Sequence, residues 1–156
     1  MSRKRCNRRK VVPMPPPGLR PKLKAAAVQY IGIAHMQNLA LVADGKATGV
    51  LLWDLVRNTL TWHKTATMLG VGIPEMTEQL AVTMRVLERF ERTGKVGFNG
   101  PDYQRAKKGV MVMDQLSEIV DIYTADVATR WADAEVERIA ELSRQPIDAA
   151  NAMEGA

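Results

Sequence analysis

The chain is poor in the residues on which small catalytic or cross-linked domains rely. Of its 156 residues only Cys6 is a cysteine, which excludes an intramolecular disulfide framework and a cysteine-rich zinc site. A lone thiol fits a reducing compartment. His35 and His63 are the only histidines and fall on different expected helices, too few and too far apart for a local metal-ligand set. Eight aromatic residues stand against nine methionines, which favours helices packed through aliphatic side chains over a β-sandwich. No stretch alternates apolar and polar residues for long enough to mark a strand. No apolar run reaches the roughly 18 residues of a membrane span. Ala25 to Ala34 follows a basic stretch as a signal peptide would, but Gln29, Tyr30 and His35 interrupt it and five prolines precede it. Export is therefore not expected.

Acid is missing from one end. Residues 1–24 hold Arg3, Lys4, Arg5, Arg8, Arg9, Lys10, Arg20, Lys22 and Lys24 and no carboxylate. Those nine leave 13 basic against 17 acidic residues in the rest, so a total of +5 divides into +9 on the arm and −4 on the body. Residues 1–12 have too few apolar groups to offset the entropy of ordering and are expected to be disordered. Pro13, Pro15, Pro16, Pro17 and Pro21 then favour an extended polyproline spacer. A run of this kind serves as a solubilising tail, or binds phosphate by releasing counterions, or meets an anionic protein or membrane.

The remainder reads as an all-α bundle of four to five amphipathic helices, a domain over residues 22–145 between the arm (1–21) and a frayed tail (146–156). The centre is a helix pair from Thr48 to Phe98. Thr48 is the expected N-cap of a helix whose stripe is Trp53, Val56, Leu60, His63 and Thr67, widened by Leu52, Leu55, Ala66 and Leu69. Gly70 and Gly72 stop it, and Pro74 opens the next helix with Glu75 and Glu78 near its positive end. Met76, Leu80, Met84, Leu87 and Phe90 form that helix's expected buried face, and Gly94, Gly97 and Gly100 end it.

Before this pair, a first helix is expected from Lys22 to about Ala43. Leu23, Ala27, Ile31, Ala34, Asn38 and Leu41 mark one side, while Val28, Ile33, Met36 and Leu39 make the others apolar too. Such a helix needs wide cover, from its own domain or from a second copy of the chain. After the pair, Asn99-Gly100-Pro101-Asp102 opens a fourth helix along Tyr103, Ala106, Val110, Met113, Ser117 and Val120, with Val112, Leu116 and Ile119 adding a second stripe. A break or cap is expected near Tyr123-Thr124. A fifth helix then turns Val127, Ala128, Trp131, Ala132, Val136, Ile139 and Leu142 inward until Pro146. The surplus of apolar faces on the first and fourth helices predicts a homodimer through one of them.

The motifs that resemble active-site loops do not hold up. Gly45-Lys46-Ala47-Thr48-Gly49 lacks the earlier glycine, the Lys-Ser/Thr adjacency and the strand of a phosphate loop. Gly70-x-Gly72 lacks a third glycine and follows a helix, so it is punctuation. Cys6 lies among cations that lower a thiol's pKa, yet nothing holds a base beside it. Ala66-x3-Gly70-x5-Met76 with Leu80 has helix-turn-helix spacing. Its recognition helix would lead with Glu75 and Glu78 towards DNA phosphates and would read bases with Thr77 or Gln79, so an ordinary helical hairpin is the better reading. A secondary basic patch of Lys95, Arg105, Lys107 and Lys108 surrounds Phe98 and Tyr103, either of which would stack a base or pack back on the core. The expectation is therefore a non-enzymatic protein without metal or cofactor.

The arm, followed by Gly45-x-Ala47-Thr48-x4-Trp53, Gly70-x-Gly72-x2-Glu75 and Arg92-x-Gly94-x2-Gly97-Phe98-x-Gly100, resembles small helical proteins of bacteriophages and mobile elements of Gram-negative bacteria. The likeness spans about Gly45 to Thr124 and brings no assigned active site. It implies a cytoplasmic accessory protein in a bacterial host cell. Two functions follow as expectations: non-specific nucleic-acid binding through the arm, or a protein-interaction module, such as an inhibitor of a host protein or a virion component, that binds through the helical body. Neither needs a membrane.

Overall fold

The computed structural model describes residues 13–154, with side chains as far as residue 144. It is all-helical: α1 (Ala25–Ala43), α2 (Gly49–Leu69), α3 (Ile73–Thr93), α4 (Gly100–Ile119) and α5 (Ile122–Glu154) follow a short 3-10 turn at Pro17–Leu19. Among the described residues there is no strand, only an isolated backbone bridge between Lys22 and Asp121.

The helix ends fall where local chemistry demands them. The Thr48 hydroxyl accepts from the Leu51 amide at 3.3 Å and the Asn99 side chain accepts from the Asp102 amide at 2.9 Å, each relieving an unpaired donor of a first turn. Gly70 and Gly72 both take φ +69°, which lets the chain reverse between α2 and α3 without a Cβ clash.

The α2–α3 hairpin packs α5 against α2 and α4 against α3, and α1 lies on α4. Leu52, Val56, Met76, Val82, Met113 and Leu116 are among the core residues withdrawn from solvent. A polar seam lies inside it: the Thr59 and Thr83 hydroxyls meet at 3.3 Å, and each donates to the carbonyl four residues back, so neither is left unmade. The α3–α4 contact is close because position 109 is glycine. A Cβ there would sit 2.6 Å from Gln79 Cβ.

Several expectations are corrected. α1 starts at Ala25 rather than Lys22, because Lys22 is in the bridge with Asp121. Pro17–Leu19 is a closed turn rather than extended polyproline, and Arg20 Nε locks it by donating to the Pro15 carbonyl at 2.9 Å. The Pro21 carbonyl accepts from the Ile122 amide at 2.9 Å, so the base of the arm is pinned to the α4–α5 corner. The break or cap expected near Tyr123-Thr124 is present, with the break itself at Val120-Asp121. Asp121 caps α5 by accepting from the Tyr123 and Thr124 amides and the Thr124 hydroxyl. α5 continues through Pro146, which deletes one backbone hydrogen bond without ending the helix, so the tail expected from residue 146 is helical to Glu154.

On α3 the expected Met76 and Leu87 are buried, and the buried face extends further to one side than expected. Gln79, Val82, Thr83 and Val86 are buried, while Leu80, Met84 and Phe90 are half-buried. On α2, Thr67 is exposed and Trp53 and His63 only half-buried. On α5, Val127, Trp131 and Leu142 face solvent rather than the core, and the Lys64 ammonium lies 5.1 Å from the Trp131 ring centroid. No helix of the described residues is long and apolar enough to cross a membrane.

Candidate functional site

Among the described residues, the basic side chains singled out in the sequence do not form one surface. Arg3, Lys4, Arg5, Arg8, Arg9 and Lys10 lie outside the described residues. Arg20 is half-buried in its turn, and its charge helps to hold the Asp121 carboxyl below the usual carboxylate range. Lys22 and Lys24 are exposed just before α1, beside the C-terminal end of α4. Arg105, Lys107 and Lys108 belong to the first turns of α4, on the order of 20 Å away along that helix. Arg105 is committed: with Arg85 it donates to the buried carboxylate of Asp102, at 3.2 and 2.7 Å. That pairing holds the Asp102 carboxyl below its ordinary value, the Arg85 hydrogen bond contributing most. Lys95, Lys107 and Lys108 are exposed. Phe98 and Tyr103 pair at 6.0 Å and pack back on the core, and Arg89 ties down their loop by donating to the Gly97 carbonyl. Gln79, which a helix-turn-helix would present to bases, is 2% exposed and seated on Gly109. Thr77, the other residue a helix-turn-helix would turn to bases, is exposed and meets His63 Nε2 at 3.2 Å.

The feature that the fold leaves open is α1. Its 19 residues include no Asp, Glu, Lys or Arg, yet only His35, Leu39 and Val42 are buried. Tyr30 (73%), Ile33 (50%) and Met36 (47%) stand in solvent, with Ala26, Gln29, Gln37 and Ala40 exposed between and beside them. Large apolar side chains in a contiguous, uncharged strip differ from the scattered singles on any protein surface. α4, the other helix suspected of excess apolar surface, is covered by α1 on one side and α3 on the other.

α1 also stands off from α2, leaving a groove of about 660 Å³ whose walls include Tyr30, Ile31 and Asn38 on one side and Val50, Asp54 and Asn58 on the other. Val50, 75% exposed, extends the apolar strip across the groove. At its inner edge Trp62 Nε1 donates to His35 Nε2 at 3.2 Å, with the rings edge to face. Burial drives His35 down to about 4, so it is neutral near pH 7 and accepts that bond. An ion pair between Arg57 and Asp133 ties this wall to α5.

Behind α1, α4 presents Asp114, whose Oδ1 is buried without a hydrogen-bond partner, and α1 has no cation to offer it. The carboxylate lies against Gly32, where a Cβ would sit 2.9 Å from that oxygen and push it aside. Burial pushes the Asp114 carboxyl up. Sequence reading missed Asp114, the Arg57–Asp133 pair and Val50. The signals in the chain that point to this face are the absence of charge along all of α1 and the apolar Ile33 and Met36 outside its main stripe. Comparison with family models, curated proteins and solved structures finds no match to the chain.

Proposed function

We propose that this chain is a non-enzymatic accessory protein that acts by docking, with the uncharged outer face of α1 and the adjoining groove as its protein-binding surface. The observation that carries the reading is the exposure of Tyr30, Ile33 and Met36 on a helix without one charged residue. Core packing does not account for that face, and solubility argues against leaving it bare. An apolar strip walled by asparagines and a groove is the form in which a helix or helical segment of a partner is held. Self-association is one such pairing; on α4, the other helix suspected in the sequence, Met111 and Ile119 are also exposed, but among the charged Lys107, Lys108 and Glu118.

Nucleic-acid binding through the arm is kept as a second reading, because nine cations without an acid precede a body of charge −4. The two place binding on different parts of the chain. A tagged chain is used to capture partners from a cell extract with and without nuclease, beside Ile33→Glu and a chain lacking residues 1–12. The docking reading expects nuclease-resistant capture that Ile33→Glu abolishes and the truncation spares. Capture that disappears with nuclease or with the arm, and survives Ile33→Glu, would assign binding to the arm.

A further inference from the structure

We infer that the partner of α1 is a second copy of α1, laid antiparallel across it about a two-fold axis near Ile33. The inference rests on the docking reading above and names the occupant. Ala26, Tyr30, Ile33, Gln37 and Ala40 are all exposed and recur at four- and three-residue spacing, the pattern of a helix–helix seam. An antiparallel isologous pair sets residue i against j and j against i, so Ala26 meets Ala40, Tyr30 meets Gln37 and Ile33 meets its copy, and no charge along the strip has to be desolvated. Among the described residues α1 is the one α-helix without Asp, Glu, Lys or Arg.

Charge at the two ends of α1 sets the direction. Lys22 and Lys24 precede it, and Asp44 with Lys46 follows it, all four exposed. A parallel pair would bring both sets of N-terminal lysines and both basic arms together. The antiparallel pair separates the arms by about the length of the helix, about 28 Å, and sets each Lys22–Lys24 pair near the partner's C-terminal end with its carboxylate. Opposed helix dipoles act in the same sense.

Area decides how much of the groove takes part. Half the surface of a cylinder of helix diameter and that length is on the order of 500 Å², short of the roughly 800 Å² per partner that a stable pair buries. The difference must come from the groove rim, where Val50 stands beside Tyr30. The pair therefore spans α1 and the start of α2, and the two basic arms leave from opposite ends of it.

The test uses the full chain with Cys6→Ser, which removes its only thiol. Ala26→Cys and Ala40→Cys variants are oxidised alone and mixed. The mixture is expected to form a disulfide-linked dimer efficiently and each variant alone poorly. Efficient self-linking of Ala26→Cys would mean a parallel pair and overturn the inference. In sedimentation, Ile33→Glu and Ile33→Lys are each expected to weaken self-association at least ten-fold with unchanged helical circular dichroism, and mixing the two should restore the dimer. A wild-type chain that stays monomeric at every concentration, or a dimer indifferent to both substitutions, would refute it. Should the wild type be monomeric while Ile33→Glu still abolishes nuclease-resistant capture, self-pairing fails and docking on α1 stands; loss of neither removes both.

Discussion

Asp114 provides a sharp test of how α1 is held on α4. Its Oδ1 is buried without a partner beside Gly32, and burial raises its carboxyl above the ordinary value of 3.8. The folded state therefore disfavours the ion. Stability from this group is full below the unfolded value and lost as pH rises through the folded one. Asp114→Asn keeps the shape and removes the charge, so at pH 7 it should be more stable than the wild type. The amide leaves the buried atom without a partner, so the gain is only the excess cost of a charged over a neutral unpaired group, within about 1–3 kcal/mol. The residue is only partly buried, which places the gain near the lower end, about 1 kcal/mol, or roughly 2–4 °C in Tm for a chain of this size. Thermal melts of both proteins, followed by circular dichroism at one protein concentration, would show the gain at pH 7 and its disappearance below pH 3.8. The concentration must be fixed because self-association raises Tm by mass action. A less stable Asp114→Asn at pH 7, or a gain independent of pH, would refute the reasoning and mean that the carboxylate is satisfied.

The other titrations run the opposite way. His35, depressed to about 4, contributes stability that is present above 6.5 and lost as pH falls towards 4, on the order of 2–3 kcal/mol; His35→Gln should flatten that slope in urea titrations. Gly109→Ala should destabilise by about 1–3 kcal/mol, read as a fall in Tm, because the new Cβ meets Gln79 near its backbone and α3 must shift from α4. Asp102→Ala should cost about 1–2 kcal/mol by chemical denaturation, since Arg85 and Arg105 lose their shared acceptor but are half in water and can hydrate. If the arm binds duplex DNA, its six cations in residues 1–12 should give an affinity falling by about 10³-fold between 50 and 200 mM salt; a flat salt dependence in a labelled-duplex titration would remove phosphate contacts from the mechanism.

Helix ends were largely legible in the chain because they are local. Thr48, Asn99, Gly70 and Gly72 sit where hydrogen-bond and φ requirements involve only near neighbours. Faces were less legible because they depend on which helix packs where. Spacing alone pointed to Leu80 and Phe90 on α3, whereas Gly109 admits the Gln79 side. Pro146 reads as a stop in the chain, yet α5 runs on through it to Glu154. Arg20 and Arg105 look like free cations in the chain, yet each is engaged by a near neighbour, Pro15 five residues before Arg20 and Asp102 three residues before Arg105. The excess apolar surface of α1 was visible in its composition. Which side stayed open was not, since that depends on α4 covering the other.

The most direct measurement of the central claim is oxidative footprinting of the intact protein in a cell extract and at low concentration in buffer. Met36 and Tyr30 report on the α1 face, and Met111 (57% exposed) and Met68 (44%) on surface outside it. With α1 docked, labelling of Met36 and Tyr30 should fall several-fold in the extract while Met111 and Met68 label as in dilute buffer. Equal labelling of Met36 and Tyr30 in both conditions would contradict the assignment of α1 as the docking surface.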